Sequence, residues 1–230
     1  MRSFRERSQE LEMMDHPIEE DEAIFQNFEE LLFINTHLGG PSHSHAAIEP
    51  WIQGIKCPVV ADVGFGAGDF LEQSRVRWPH AQLVGIDLMP QALEFSRRRF
   101  PELADKVEWR CESHETWMDE APEVDIVHAA LFCHHLTHEE WVSFLRKAAR
   151  HAKVAVVIND LHRHWFAYHS IRLLTRWFSS SEYTKNDAPL SVLRGFTKQE
   201  WHQALQQAGL HNYRIEWKWA FRHVITIFPS

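Results

Sequence analysis

The sequence has few cysteines and no excess of positive charge. Three cysteines occur among 230 residues, widely spaced and without a C-x-x-C pair, so the pattern predicts neither a disulfide framework nor a thiolate zinc site. The formal net charge is −8, which argues against a protein that binds nucleic-acid phosphates or an anionic membrane surface. We therefore expect reduced thiols and no DNA or membrane partner.

Long apolar segments are absent as well. No run approaches the roughly 18 apolar residues of a membrane-spanning helix, and residues 1–17 are charged throughout, without the apolar core of an export signal. These features predict a soluble, cytoplasmic protein. The chain is long enough to bury the core of one large domain, with or without a small appendage.

From residue 57 onward, short apolar segments rich in β-branched residues alternate with helical patterns. Two helices begin with capping boxes, formed by Thr137 with Glu140 and by Thr197 with Glu200. This alternation predicts an α/β fold, a Rossmann-like doubly wound sheet that is mostly parallel and covered by helices on both faces. The predicted strands are residues 57–63, 82–87, 106–110, 124–132 and 153–160.

Three further regions depart from the alternation. Residues 1–56 contain an amphipathic helix, predicted over residues 19–40 from a 3.6-residue apolar period, so we assign them to an N-terminal helical cap. Residues 161–196 interrupt the domain, which spans 57–230, and we expect them to form a helical lid over an acceptor site. Residues 213–228 predict a C-terminal antiparallel hairpin with a turn near Ala220.

The first predicted strand leads through Asp62 into a loop with three glycines, Gly64, Gly66 and Gly68. Glycines between a strand and a helix let the backbone approach a ligand closely, and the helix N-terminus favours a negative group. The second predicted strand ends in Asp87, whose carboxylate is well placed to accept hydrogen bonds from two ribose hydroxyls. We therefore expect a cofactor that contains ribose.

The spacing of this loop distinguishes between cofactors. The dinucleotide fingerprint G-x-G-x-x-G/A fits poorly, because its sixth position is the charged Asp69. The pattern Asp-x-Gly-x-Gly-x-Gly, with Asp87 after the second strand, resembles the first motif of class I S-adenosylmethionine-dependent methyltransferases over about residues 57–230. The segment ALFCHHL is similar to small-molecule enzymes of the ubiquinone and menaquinone biosynthesis type, and residues 159–196 resemble a bacterial subgroup associated with polyketide-type secondary metabolism.

The resemblance implies S-adenosylmethionine as cofactor and assigns its contacts. The glycine loop would accommodate the methionine moiety and Asp87 would hold the ribose, with Leu88 and Met89 supplying apolar faces for the adenine. The adenine edge usually meets an acidic residue after the third strand, where Glu112 and Ser113 are the candidates and the choice between them stays open. The cofactor-binding residues implied are Asp62, Gly64, Gly66, Gly68, Asp87, Leu88, Met89, Glu112, Ser113 and Leu131.

Histidines follow the fourth and fifth predicted strands, at the edge where open α/β sheets bind ligands. His135 and His162 are the candidate catalytic residues, with a structural hydrogen bond as the alternative for each. A divalent-metal site of His135, Asp160 and His162 is conceivable, but no fixed ligand spacing supports it, and we assign no metal.

The expected reaction is methyl transfer to a small aromatic or polyketide-like acceptor, at a hydroxyl whose proton a neutral histidine accepts. C-methylation of a quinone precursor or related ring is the second candidate, and a cofactor-binding scaffold without turnover is a third. The Asn/Asp-Pro-Pro-Tyr motif of enzymes that methylate base amines is missing after strand four. Five basic and two acidic residues in 161–196 nevertheless keep a phosphate, carboxylate or RNA-bearing substrate possible. The oligomeric state is open, a homodimer included.

Overall fold

The computed structural model describes residues 4–16 and 21–229, and its centre is one seven-stranded sheet. The strands are β1 (Val59–Val63), β2 (Gln82–Asp87), β3 (Val107–Cys111), β4 (Val124–Ala130), β5 (Ala152–Leu161), β6 (Tyr213–Lys218) and β7 (Arg222–Ile227). Their spatial order is β3-β2-β1-β4-β5-β7-β6. Strands β1 to β5 are parallel, and β7 pairs antiparallel with both β5 and β6. The predicted Rossmann-like sheet and its terminal hairpin are confirmed.

Helices connect the strands and cover both faces of the sheet. Within the described residues the α-helices are α1 (Asp21–His37), α2 (Gly40–Ile52), α3 (Asp69–Arg77), α4 (Pro90–Arg99), α5 (His114–Glu120), α6 (His138–His151), α7 (Trp165–Phe178), α8 (Glu182–Arg194) and α9 (Lys198–Gln207). Both predicted capping boxes are present, at the first turns of α6 and α9. No helix in the described part of the chain is long and apolar enough to cross a bilayer.

The N-terminal region contains more structure than the single helix expected there. Residues 17–20, which include the predicted start of that helix, lie outside the described residues. Residues 4–16 form an extended segment, the N-terminal strap, which ends in a short 3-10 helix at Met13–Asp15. Helix α2 was missed because Pro41 and Pro50 interrupt its pattern, although Pro41 lies in the first turn, where its missing N–H is harmless.

Two apolar clusters form the core, one on each face of the sheet. Alternate residues of β1 point to opposite faces, as a strand requires, so that Val60 joins one cluster and Val63 the other. Helices α5, α6 and α9 cover one face, where Trp141 and Trp201 are fully buried in edge-to-face contact, with ring centroids 4.7 Å apart. Helices α1 to α4 cover the other face, around residues such as Phe28.

The insertion between β5 and α9 forms the helical pair α7 and α8. Ala167 and Tyr168 of α7 are buried with residues of α8 in a third apolar cluster. Helix α7 is only partly buried. The large apolar side chains that it leaves exposed are Trp165, Phe166, Leu173, Leu174, Trp177 and Phe178.

Helix α2 packs on α3 through the buried side chain of His45. Its Nε2 lies 3.0 Å from Ser74 Oγ, and its ring stacks on Phe70 with centroids 4.9 Å apart. Burial, reinforced by nearby positive charge, lowers the pKa of His45 to about 4. The folded protein therefore keeps this ring neutral at a pH where the unfolded chain protonates it.

We expect the free energy of unfolding to fall as the pH drops from 6.5 to about 4, the ordinary and folded pKa values of His45. In that window the unfolded chain binds a proton that the folded protein refuses, so acid favours unfolding. Substituting His45→Gln should remove up to about 3 kcal/mol of this pH dependence. Urea unfolding across the window measures it, with the exposed His211→Gln as control. An unchanged pH slope in H45Q would contradict the assignment.

Candidate active site

The loop from β1 to α3 surrounds open space at the carboxyl edge of the sheet. Gly64, Gly66 and Gly68 have φ values of 69°, 52° and 80°, a conformation that favours glycine. A Cβ on Gly64 would lie 2.6 Å from the ring of Phe132, whereas one on Gly66 would meet no atom within 4 Å. Gly66 therefore presents its backbone to open space, and Gly68 is the N-cap of α3.

The carboxylate of Asp87 is fixed against this loop. Its two oxygens accept hydrogen bonds from the N–H groups of Gly66 and Met89, each at 2.9 Å. Burial raises the pKa of Asp87, while these two hydrogen bonds and the nearby His135 oppose the increase. Each oxygen keeps a lone pair for a ligand hydroxyl. The geometry fits a carboxylate that binds a diol.

A cavity of about 1200 Å³ opens above the loop. It brings together nine of the ten predicted cofactor residues, Asp62, Gly64, Gly66, Asp87, Leu88, Met89, Glu112, Ser113 and Leu131. Gly68 does not line the cavity, because it begins α3. Ser113 lines the wall, but its hydroxyl accepts the Thr116 N–H as the N-cap of α5. The hydroxyl therefore already has a structural role.

Asp62 is buried and bonded to a histidine that the sequence interpretation missed. Its Oδ1 lies 2.7 Å from His128 Nδ1, and the other ring nitrogen of His128 lies 2.8 Å from Ser44 Oγ. All three side chains are buried. Asp62 therefore joins β1 to β4 and α2, besides lining the cavity. The available signal was a lone histidine inside the apolar segment VDIVHAALF, where a buried polar group requires a partner.

The two predicted catalytic histidines occupy different environments. His135 lines the cavity, and its Nδ1 lies 2.8 Å from Asp15 Oδ1 in the N-terminal strap. His162 is not among the cavity-lining residues. Its Nδ1 accepts the indole N–H of Trp217 at 3.2 Å, and burial lowers its pKa. Of the two, only His135 faces the space where an acceptor would bind.

Asp160 and His134 form a second histidine–carboxylate pair, behind His135. His134 is buried with Nδ1 2.7 Å from Asp160 Oδ1, and its backbone N–H donates to the other oxygen at 3.2 Å. Asp160 is thus bonded to His134, while His162 contacts Trp217. The structure therefore does not bring His135, Asp160 and His162 together as ligands of one metal ion.

Asp15 is held in place by α8. The carboxylate of Asp187 accepts the backbone N–H groups of Met13 and Met14 at 2.7 and 3.1 Å, which fixes the 3-10 helix that ends at Asp15. Arg194 donates to Asp15 Oδ2 at 2.5 Å and to the carbonyl oxygen of His135 at 2.9 Å. Although burial opposes it, the hydrogen bond from His135 holds the pKa of Asp15 well below its usual range.

Comparison with known proteins finds a related domain. A family model described as a methyltransferase domain matches residues 60–155, which include the glycine loop and Asp87. This part of the chain is therefore similar to a methyltransferase domain. The glycine loop, Asp87 and the adjoining cavity fit S-adenosylmethionine, the cofactor that the sequence resemblance implies. A search of curated proteins gives no significant match.

Solved structures show the same fold at low identity. An O-methyltransferase family 2 protein from Planctomyces limnophilus in complex with apigenin has a TM-score of 0.67 at 15% identity, over 93% of this chain and 62% of its own. Human N-acetylserotonin methyltransferase in complex with S-adenosylmethionine has a TM-score of 0.64 at 17% identity, and the match covers 97% of this chain and 63% of the human protein. Plantazolicin methyltransferase in complex with S-adenosylhomocysteine has a TM-score of 0.66 at 15% identity, and the match covers 91% of this chain and 95% of that protein. The chain thus spans less than two thirds of the length of the Planctomyces limnophilus and human proteins.

We expect Asp87→Ala to weaken binding of S-adenosylhomocysteine by at least about tenfold, because each hydrogen bond to a charged carboxylate contributes about 1.5 to 3 kcal/mol. Titration calorimetry measures the affinity, and circular dichroism verifies the fold. The exposed Asp105→Ala is the control for loss of a carboxylate. Equal affinities in the folded D87A protein and the wild type would show that Asp87 does not hold the ribose.

Proposed function

We propose that this protein is an S-adenosylmethionine-dependent methyltransferase, which methylates a hydroxyl oxygen of a small aromatic or polyketide-like acceptor. The observation that carries the proposal is the pairing of His135 with Asp15 on the cavity wall. C-methylation of an electron-rich ring requires less help from a base, so a histidine oriented by a carboxylate favours transfer to oxygen.

The hydrogen bond to Asp15 determines which nitrogen of His135 can act. An ionised carboxylate only accepts hydrogen bonds, so Nδ1 of the neutral ring carries the proton and Nε2 keeps its lone pair. When bound, S-adenosylmethionine supplies an activated sulfonium methyl group. His135 Nε2 would accept the proton of the acceptor hydroxyl as the methyl group passes to that oxygen from the sulfonium sulfur, which becomes a neutral thioether, and Asp15 would stabilise the imidazolium.

The same proposal assigns the cofactor end of the cavity. The glycine loop accommodates the methionine moiety, Asp87 binds the ribose, and Leu88 and Met89 contact the adenine. We assign the adenine edge to Glu112, because the Ser113 hydroxyl already caps α5. Because His135 and Asp87 line the same cavity, the proposed base and the proposed ribose contact belong to one continuous site.

The acceptor end of the cavity suits a flat, apolar molecule. Apolar walls exclude water from the transfer and orient such a ligand. Residues of the cap and the insertion contribute Phe28, Leu31, Phe166, Ile171 and Leu174 to this wall. This supports the proposal that residues 161–196 form the lid, together with α1 and the N-terminal strap. The apigenin bound by the similar Planctomyces limnophilus protein is itself small and aromatic.

The side-chain environments also favour a small acceptor over a nucleic acid. Arg163 and Arg194, two of the five basic residues of the insertion, are buried in hydrogen bonds to backbone carbonyls and acidic side chains. They are therefore unavailable to a phosphate backbone. We further propose a cytoplasmic location, which the free thiols of Cys57, Cys111 and Cys133 support. A role in secondary metabolism follows from the proposed acceptor.

We expect His135→Gln to lower kcat by at least about 100-fold, because general-base catalysis contributes about 10² to 10⁴. Apigenin serves as the test acceptor, and transfer of a labelled methyl group measures the rate. Affinity for S-adenosylhomocysteine should stay within about twofold, since the cofactor contacts remain. The control is His138→Gln, whose histidine is bonded to Gln207 instead.

The product and the variants distinguish the alternatives. A methoxy signal in the NMR spectrum of the product supports O-methylation, whereas a methyl group on ring carbon supports the second candidate. Full activity of the H135Q variant would show that His135 is not the general base. Binding of S-adenosylmethionine without turnover of any member of a phenol and quinone panel would favour the scaffold instead.

A further inference from the structure

Glu12, His134 and His135 converge at the acceptor end of the cavity, which all three line. One ligand atom from each lies within 4.8 Å of those of the other two. Glu12 Oε1 is 3.7 Å from His134 Nε2, and both side chains are buried. We propose that these residues form a binding site for a divalent transition-metal ion, with zinc as the best match to two imidazoles and one carboxylate.

The surroundings of both histidines match those of metal ligands. A ligating histidine usually donates its second ring N–H to a carboxylate, which fixes the ring and its tautomer. His134 Nδ1 pairs with Asp160 at 2.7 Å, and His135 Nδ1 pairs with Asp15 at 2.8 Å. Both Nε2 atoms therefore keep their lone pairs. Two adjacent histidines, each oriented by its own carboxylate, form a preorganised pair of ligands.

Charged side chains of both signs surround the candidate site. Three carboxylates, Glu12, Asp15 and Asp160, lie near two guanidinium groups, those of Arg7 and Arg194. Arg194 lies 3.9 Å from Glu12 and 2.5 Å from Asp15. The Ser191 hydroxyl lies 2.9 Å from Glu12 Oε1 and 2.9 Å from the carbonyl oxygen of Asp187.

Small side-chain movements would complete the coordination. Zinc binds nitrogen and oxygen at about 2.0 to 2.2 Å, so tetrahedral ligand atoms lie about 3.4 Å apart. The ligand atoms of Glu12, His134 and His135 lie within 4.8 Å of one another, so they must approach by at most about 1.4 Å. Three protein ligands leave a fourth position, which faces the cavity.

Metal binding and base catalysis compete for the same lone pair, so this consequence rests on the proposed function. Zinc bound to His135 Nε2 removes the proton acceptor and occupies the region where the acceptor hydroxyl would lie. We therefore expect zinc to inhibit methyl transfer reversibly, and a chelator to restore it.

The test measures metal binding directly, with zinc alone as the probe. The full chain is treated with a chelator, dialysed against zinc chloride, and its bound zinc is determined by mass spectrometry. We expect one equivalent per chain, and at least a tenfold weaker affinity in Glu12→Gln, which keeps the size of the side chain. The matched control is Glu6→Gln, an exposed glutamate in the same strap. Circular dichroism verifies that both variants are folded.

Asp15→Asn is a second variant, which alters the orientation of His135 without removing a ligand. It should weaken zinc binding severalfold. Absence of stoichiometric zinc from the wild type, or equal zinc affinity in folded E12Q and wild type, would overturn the site. If the chain binds zinc but transfers no methyl group when it is free of metal, the metal site stands and the proposed function is wrong. Methyl transfer by a chain that binds no zinc would overturn the metal site and leave the proposed function standing.

Discussion

The buried hydrogen bond between Asp62 and His128 is the interaction on which the cofactor end of the site depends. Asp62 immediately precedes the glycine loop, and its carboxylate is almost fully buried, so it requires a partner. His128 supplies that partner at 2.7 Å and stacks on Phe70 with ring centroids 3.8 Å apart. Loss of His128 would leave an uncompensated buried carboxylate beneath the loop.

The same polar layer attaches the N-terminal helices to the sheet. Asn159 of β5 donates to the carbonyl oxygen of Gly40, at the start of α2. Arg222 of β7 donates to Asn35 of α1, which in turn donates to Asp69 at 2.6 Å. Burial raises the pKa of Asp69 to about 6 and lowers that of Arg222 to about 10. The cap is thus bonded to the edge of the sheet where the cavity opens.

The two ends of the cavity are built by different parts of the chain. Loops of the sheet provide the cofactor end, whereas the strap, α1, α7 and α8 provide much of the acceptor end. The strap has no strand partner in the sheet and is held by arginines. Arg163 donates to the carbonyl oxygens of Phe4 and Arg5, and Arg194 to that of Glu10.

The sequence by itself determined the parallel sheet, its terminal hairpin and the glycine loop, because periodicity, caps and turn chemistry are local properties of the chain. It also gave Asp87 a position at the end of β2, where the structure bonds it to Gly66. Only the tertiary structure showed that His135 lines the cavity and His162 does not, although both follow neighbouring strands at the same edge of the sheet. The partner of His135 is Asp15, 120 positions away in a polar segment without a distinguishing pattern. Contacts across that distance depend on packing, which no local pattern encodes.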